Sequence, residues 1–129
     1  TTSVSASFGP AALTPLRVDA DASANYEAFA DALLALRYLL GLRGGALVNG
    51  ATADSATRAD AAALAAWFDD MRPVFDIDGD GQTDATTDGV LLLRYLLGFR
   101  GAVLTANALA VGATRDSDSI ATYMAALTP

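Results

Sequence analysis

One repeat constrains this chain more than any other feature. The stretch "DADASANYEAFADALLALRYLLGLRG" starts at Asp19, and "DIDGDGQTDATTDGVLLLRYLLGFRG" starts at Asp76, an offset of 57 residues. At that offset Asp21 meets Asp78, Ser23 meets Asp80, Asn25 meets Gln82, Glu27 meets Asp84 and Asp31 meets Asp88. The "RYLLGLRG" and "RYLLGFRG" segments differ only at Leu42 and Phe99. After a one-residue slip the match resumes with "LAAWFDDM" and "IATYMAAL". A chain that says the same thing twice is built from two like units.

Each unit reads as an acidic loop, a helix, a Gly-rich connection and a second helix. The first helices are expected over 31–40 and 88–97, stopped by Gly41 and Gly98, since glycine adopts the left-handed backbone that ends a helix. The second helices are expected over 58–71 and 116–127. Leu64, Trp67, Phe68 and Met71 form one apolar stripe, and Ile120, Tyr123, Met124 and Leu127 form its counterpart. Thr57 and either Asp116 or Ser117 are the expected caps. Strand signals are weak; the stretch "GALVNG" can be extended, but nothing alternates for long.

The fold class expected is therefore all-α, a pseudo-twofold pair of loop–helix repeats, each followed by a second amphipathic helix. The domain runs over 16–129, with repeat one over about 16–73 and repeat two over about 74–129. The opening 1–15 is small and polar with two prolines, and reads as a linker or arm. Hydrophobic residues make up 53% of the chain, many of them alanine, and aromatics only 8%, so the expected core is thin and aliphatic.

Composition removes whole classes of function. The 129 residues contain no Cys and no His, so zinc–thiolate sites and His-dependent catalysis are excluded. All eight basic residues are Arg, so no lysine nucleophile exists either. A net charge of −7 argues against nucleic acid and anionic membrane surfaces, and suits a cation. No apolar run is long enough to span a bilayer. With paired carboxylates consumed by the loops, the expectation is a protein that is not an enzyme. The chain opens at Thr1 without an initiator Met, and reads as a processed or excised piece of something longer.

The acidic loops point to calcium. That ion takes six to eight oxygens, which a loop supplies when alternate side chains turn inward and a last carboxylate comes from the following helix. Asp76, Asp78 and Asp80 occupy positions one, three and five. Gln82, at seven, offers its backbone carbonyl. Gly81, at six, permits the sharp turn, and Asp84, at nine, acts through water. Asp88 closes the shell from position thirteen, whereas the EF-hand closes at twelve; either the loop is one residue longer or it bulges before Asp88. A turn that only caps a helix needs one or two carboxylates, not five, whose repulsion would oppose folding.

The first loop keeps Asp19, Asp21 and Asp31, with Asn25 in the place of Gln82. Ser23 replaces the position-five Asp and Ala24 the turn Gly. It is either a weaker site, because fewer charges surround the ion, or a decayed copy kept for packing. Two bound calcium ions would bring the charge from −7 to −3.

The pattern "FDIDGDGQTDATTDGVLLLRYLLG" resembles the calcium-binding repeat of dockerin domains, which carry two loop–helix repeats, often with a "KRYLL"-like helix where this chain has "LRYLL" twice. The resemblance covers each loop and its following helix, roughly 26 residues a copy. It implies an EF-hand loop with only its exiting helix, two calcium ions, and a non-catalytic attachment module of a larger secreted or cell-surface protein. The implied partner is a cohesin-like or other surface-protein domain, met by the exposed faces of the loop-following helices. There Thr86 and Thr87 align with Phe29 and Ala30. The other reading is a calcium-stabilised spacer repeat of a bacterial surface protein or adhesin without a dedicated partner.

Arg37 and Arg94 lie inside apolar helices, either snorkelling near a helix end or contacting a partner or an acid across the repeats. Arg43 and Arg100 are expected to tie carbonyls at helix ends. Tyr38, Tyr95, Trp67 and Phe68 are expected at the core or its edge.

Overall fold

A computed structural model describes residues 18–128; the arm expected over 1–15 lies outside the described residues. The described residues are helical, with no strand among them. Six α-helices follow in order: α1 Leu33–Leu39, α2 Gly45–Val48, α3 Ala61–Met71, α4 Val90–Leu96, α5 Ala102–Thr105 and α6 Ser117–Leu127. A π-helical turn precedes α1 at Ala28–Ala32 and another precedes α4 at Ala85–Gly89. A 3₁₀ turn at Arg72–Phe75 joins α3 to the second acidic loop. No described helix is long and apolar enough to cross a membrane.

The loop-following helices end as their glycines require. Gly41 has φ of 91° and Gly98 has φ of 97°. Leu42 N donates to Arg37 O and Gly41 N to Tyr38 O, both at 2.9 Å, and Phe99 and Gly98 repeat the pair on Arg94 O and Tyr95 O. This double bond pattern satisfies the last carbonyls of each helix. Arg43 adds bonds to Tyr38 O and Leu42 O, and Arg100 to Tyr95 O and Phe99 O, as the sequence suggests.

Arg37 and Arg94 lie half-buried in the last turns of α1 and α4, and their guanidinium groups bond backbone carbonyls of the next element. Arg37 Nη1 donates to Leu47 O and Asn49 O, and Arg94 Nη1 to Leu104 O and Ala106 O. Each guanidinium closes the end of the one-turn helix that follows, whose carbonyls have no partner in so short an element. "GALVNG" is thus a helical turn at Gly45–Val48 rather than an extended stretch. Four residues carry no period from which to read it.

The helix expected from 58 starts later, at Ala61, while Asp116 caps the other as the sequence suggests. Asp60 caps α3 by accepting from Ala63 N, and Asp116 caps α6 by accepting from Ser119 N. Thr57 is not a cap: Thr57 N and Arg58 N both donate to Asp21 O, which holds the chain out of helix until Ala61. The one-residue slip between the copies therefore falls between this anchor and the helix start.

The core is shared by both units. Leu34, Leu47, Leu64, Phe68, Leu91, Leu92, Leu104, Ile120 and Met124 are buried in one cluster. The second-helix stripes supply Leu64, Phe68 and Met71 from α3, and Ile120, Met124 and Leu127 from α6. Phe68 stacks on Tyr38 at 4.8 Å between ring centres, and Trp67 meets Phe68 edge-on at 5.0 Å. Tyr95 and Trp67 are partly buried against the same cluster. The loop-following helices cross-pack, α1 against the second π-turn and α4 against the first. At that crossing a Cβ on Gly89 would come within 2.8 Å of Leu36 Cδ1, so Leu36 packs into the space the glycine leaves. Val18, Ala20 and Ile77, beside and within the acidic loops, join the same core and tie both loops to it.

Candidate metal centre

Each acidic loop folds its carboxylates inward. In the second loop Asp76, Asp78, Asp80 and Asp88 each place a carboxylate oxygen within 4.8 Å of the others. In the first, Asp19, Asp21 and Asp31 do the same. Asp78 and Asp21 are 0% exposed, Asp88 1% and Asp31 0%. Carboxylates are almost never buried this deeply unless something compensates the charge.

Backbone amides build the convergence. Asp76 accepts from Asp80 N at 3.1 Å and Gly81 N at 2.9 Å, while Asp78 Oδ1 accepts from Asp80 N at 3.2 Å. In the first loop Asp19 accepts from Ser23 N and Ala24 N, and Asp21 from Ser23 N. These are turns in which an aspartate side chain folds back on its own backbone. They force positions one, three and five toward one point. Glycines at positive φ make the path in the second loop, Gly79 at 71° and Gly81 at 90°. The first loop keeps that path with alanines, Ala22 at 54° and Ala24 at 73°.

The extra residue before the closing carboxylate lies in the π-turn. Gly89 N donates to Asp84 O at 3.1 Å, five residues back, and Leu33 N reaches Ala28 O in the first copy. A π-turn absorbs one more residue than an α-turn, and such turns occur often at functional sites. The added residue brings Asp88 round to face the loop. Asp88 then accepts from Asp78 N at 3.2 Å and Asp84 N at 2.8 Å; Asp31 accepts from Asp21 N at 3.3 Å and Glu27 N at 2.8 Å. The second bond of each pair satisfies the free amide at the helix start, as in a capping box.

Burial disfavours the charged form of these carboxylates. It pushes Asp31 and Asp88 up to about 7, against the lowering effect of their amide donors. Burial also raises Asp78, while the Gln82 amide holds Asp80 below the ordinary carboxylate range. Thr87 Oγ1, beside the closing carboxylate, is a buried hydroxyl without a hydrogen-bond partner.

The remaining sequence candidates lie at the rim. Gln82 is exposed and donates its amide to Asp80 Oδ1 at 3.0 Å. Asn25 is exposed, and its amide lies 3.4 Å from Ser23 Oγ, so Ser23 takes over the backbone-holding part of Asp80. Asp84 stays outside the converging set.

A further set of residues completes each loop and escapes the loop motif. Ala53 N donates to Asp21 Oδ2 at 2.8 Å, and Ala110 N to Asp78 Oδ2 at 2.9 Å. Thr57 and Arg58 amides bind Asp21 O, and Thr114 and Arg115 amides bind Asp78 O. The side chains follow: Thr57 to Ala22 O, Thr114 to Gly79 O, Arg58 to Asp19 O and Ala20 O, Arg115 to Asp76 O and Ile77 O. The signal is present in the sequence, where "ADSATR" and "AVGATR" recur at the same offset of 57. Nothing in the loop itself announces that a segment some 32 residues on will clasp it.

The donor set is made of oxygen alone. It suits a hard divalent cation such as calcium, and offers no soft ligand to a transition metal. The residues present fit that ion: Asp76, Asp78, Asp80 and Asp88 would hold it in the second loop, and Asp19, Asp21 and Asp31 in the first. No protein-family model, curated protein or solved structure matches this chain.

Proposed function

We propose that this protein is a non-catalytic calcium-binding module of a larger secreted or cell-surface protein. Two calcium ions staple its acidic loops, and the stapled unit attaches to another surface-protein domain in the manner of a dockerin. The observation that carries the reading is the set of buried carboxylates, Asp21, Asp31, Asp78 and Asp88, each turned toward other carboxylates. Burying like charges together costs several kcal/mol unless a cation joins them. Calcium supplies the opposite charge and lets oxygens at positions one, three, five and thirteen share one centre.

The oxygen-only donor set and the lack of His, Cys and Lys favour a structural role for the ion over a catalytic one. Phe29, at 74% exposure, leaves an apolar contact point at the start of the first loop-following helix. Extracellular calcium is abundant enough to keep even a weak first site filled.

Calorimetric titration of metal-free protein with calcium tests the reading. Two binding events are expected, and the melting temperature rises with calcium. An absence of heat, with one melting curve in calcium and in chelator, overturns it. Binding of the calcium-loaded protein to a purified cohesin-type domain tests attachment; failure there, with calcium bound, leaves a stapled spacer.

A further inference from the structure

Two guanidinium groups sit where charge alone argues against them. A fixed positive neighbour repels a bound cation. Yet each acidic loop carries one in the same place. Arg115 Nη1 donates to Asp76 O at 2.7 Å and Ile77 O at 3.0 Å. Arg58 Nη1 donates to Ala20 O at 2.8 Å and Asp19 O at 3.4 Å. Both groups bond the carbonyls of the first two loop positions.

The other side of each guanidinium rests on a second helix. Arg58 lies over the Trp67 ring of α3 at 4.8 Å, and Arg115 over the Tyr123 ring of α6 at 3.8 Å. A guanidinium over a ring still has N–H donors for the carbonyls, a combination lysine cannot copy. The bonds from Ala110, Thr114 and the Arg115 amide then hold Asp78 and Gly79. Positions one to four of the loop are thus held from outside it.

We propose that Arg58 and Arg115 are positioning residues for the two cation sites. Each pins the loop entrance to the second helix of its own unit. The carboxylates at positions one and three then converge before any ion arrives, and less ordering remains to be done on binding. The role rests on the calcium reading above. It gives the test an unusual sign. If the arginines acted only through charge, removing one would tighten calcium binding; if they position the loop, removing one weakens it.

The experiment is calorimetric titration of metal-free wild type, Arg115→Ala, Arg115→Lys, Arg58→Ala and Arg94→Ala with calcium, with far-UV circular dichroism to check folding. Loss of an outer-shell partner of a metal site costs about 10- to 100-fold in affinity. Arg115→Ala is expected to weaken one site by that factor and Arg58→Ala the other. Arg94→Ala removes the same charge and a guanidinium bonded to two carbonyls away from the loops, and is expected to leave both sites within about twofold. Arg115→Lys keeps the charge but not the fork, so it weakens the same site less than alanine does. Should Arg115→Ala not fold, the lysine variant decides. Wild-type or tighter binding by the Arg115 variants overturns the positioning role, as does an equal loss in Arg94→Ala. Wild type that takes up no calcium would instead sink the calcium reading, and this role with it.

Discussion

The two acidic loops share a backbone and differ in what covers it. Position-one and position-three aspartates, the closing aspartate and the clasp make matching hydrogen bonds in both, and a π-turn precedes the helix in each. The second loop has Gly79, Asp80 and Gly81 where the first has Ala22, Ser23 and Ala24. Both alanines nonetheless stand at positive φ. The path is therefore dictated by the carboxylate turns and the clasp; glycine only relieves it. The first loop follows the same track under strain and with less charge.

The comparison predicts unequal losses. At a calcium concentration 100 times the dissociation constant, one site adds about 2.7 kcal/mol of stability. Asp88→Ala is expected to forfeit about that amount, and Asp31→Ala less, because the first site has one carboxylate fewer, binds more weakly and adds less stability at the same calcium concentration. Denaturant melts in saturating calcium and in chelator measure both. Equal losses would break the ranking of the loops.

A substitution that repairs the charge deficit sharpens it. Ser23→Asp is expected to tighten calcium at the first site by roughly tenfold, the worth of about 1.4 kcal/mol, through one added charge at the shell. In chelator the same variant melts lower than wild type, since the new charge joins an uncompensated cluster. Titration that shows no tightening would mean that geometry, not charge count, separates the loops.

The smallest effects come from the backbone. Ala24→Gly is expected to stabilise the metal-free protein by about 1 kcal/mol, and Gly81→Ala to destabilise it by a similar amount. Gly79→Ala is expected to cost more than Gly81→Ala, because its Cβ would run into Thr114 Oγ1 while space around Gly81 is open. Urea unfolding in chelator reads each change. A destabilised Ala24→Gly would show that the first loop is shaped to its alanines.

Much of this was legible in the chain itself. The repeat announces two units, and the stripes through Leu64 and Ile120 announce the second helices, because an amphipathic helix of three turns writes its period into the sequence. The alternating aspartates announce carboxylates turned to one point. The extra residue is written there, as a closing carboxylate at position thirteen; that a π-turn takes it up is not, since a shift from four to five residues in hydrogen-bond reach changes no side chain. The clasp is written only as a recurrence of Ala-Thr-Arg, which carries no chemistry until it is seen against Asp21 and Asp78. Nor does sequence separate Thr57 from Asp60 as a cap, since both types cap well and the choice is made by bonds to a distant carbonyl.

Val18 N donates to Leu127 O at 3.2 Å. The residue before the first loop thus lies beside the last residue of α6, and the two meet at a joint between the units. Such a layout tolerates circular permutation: a short linker across the joint, with new ends opened between α3 and the second loop, preserves both sets of loop-to-clasp bonds. It also permits grafting. Entry and exit lie side by side, so the unit can be spliced into an exposed turn of a host domain while the host's own strands or helices stay in place.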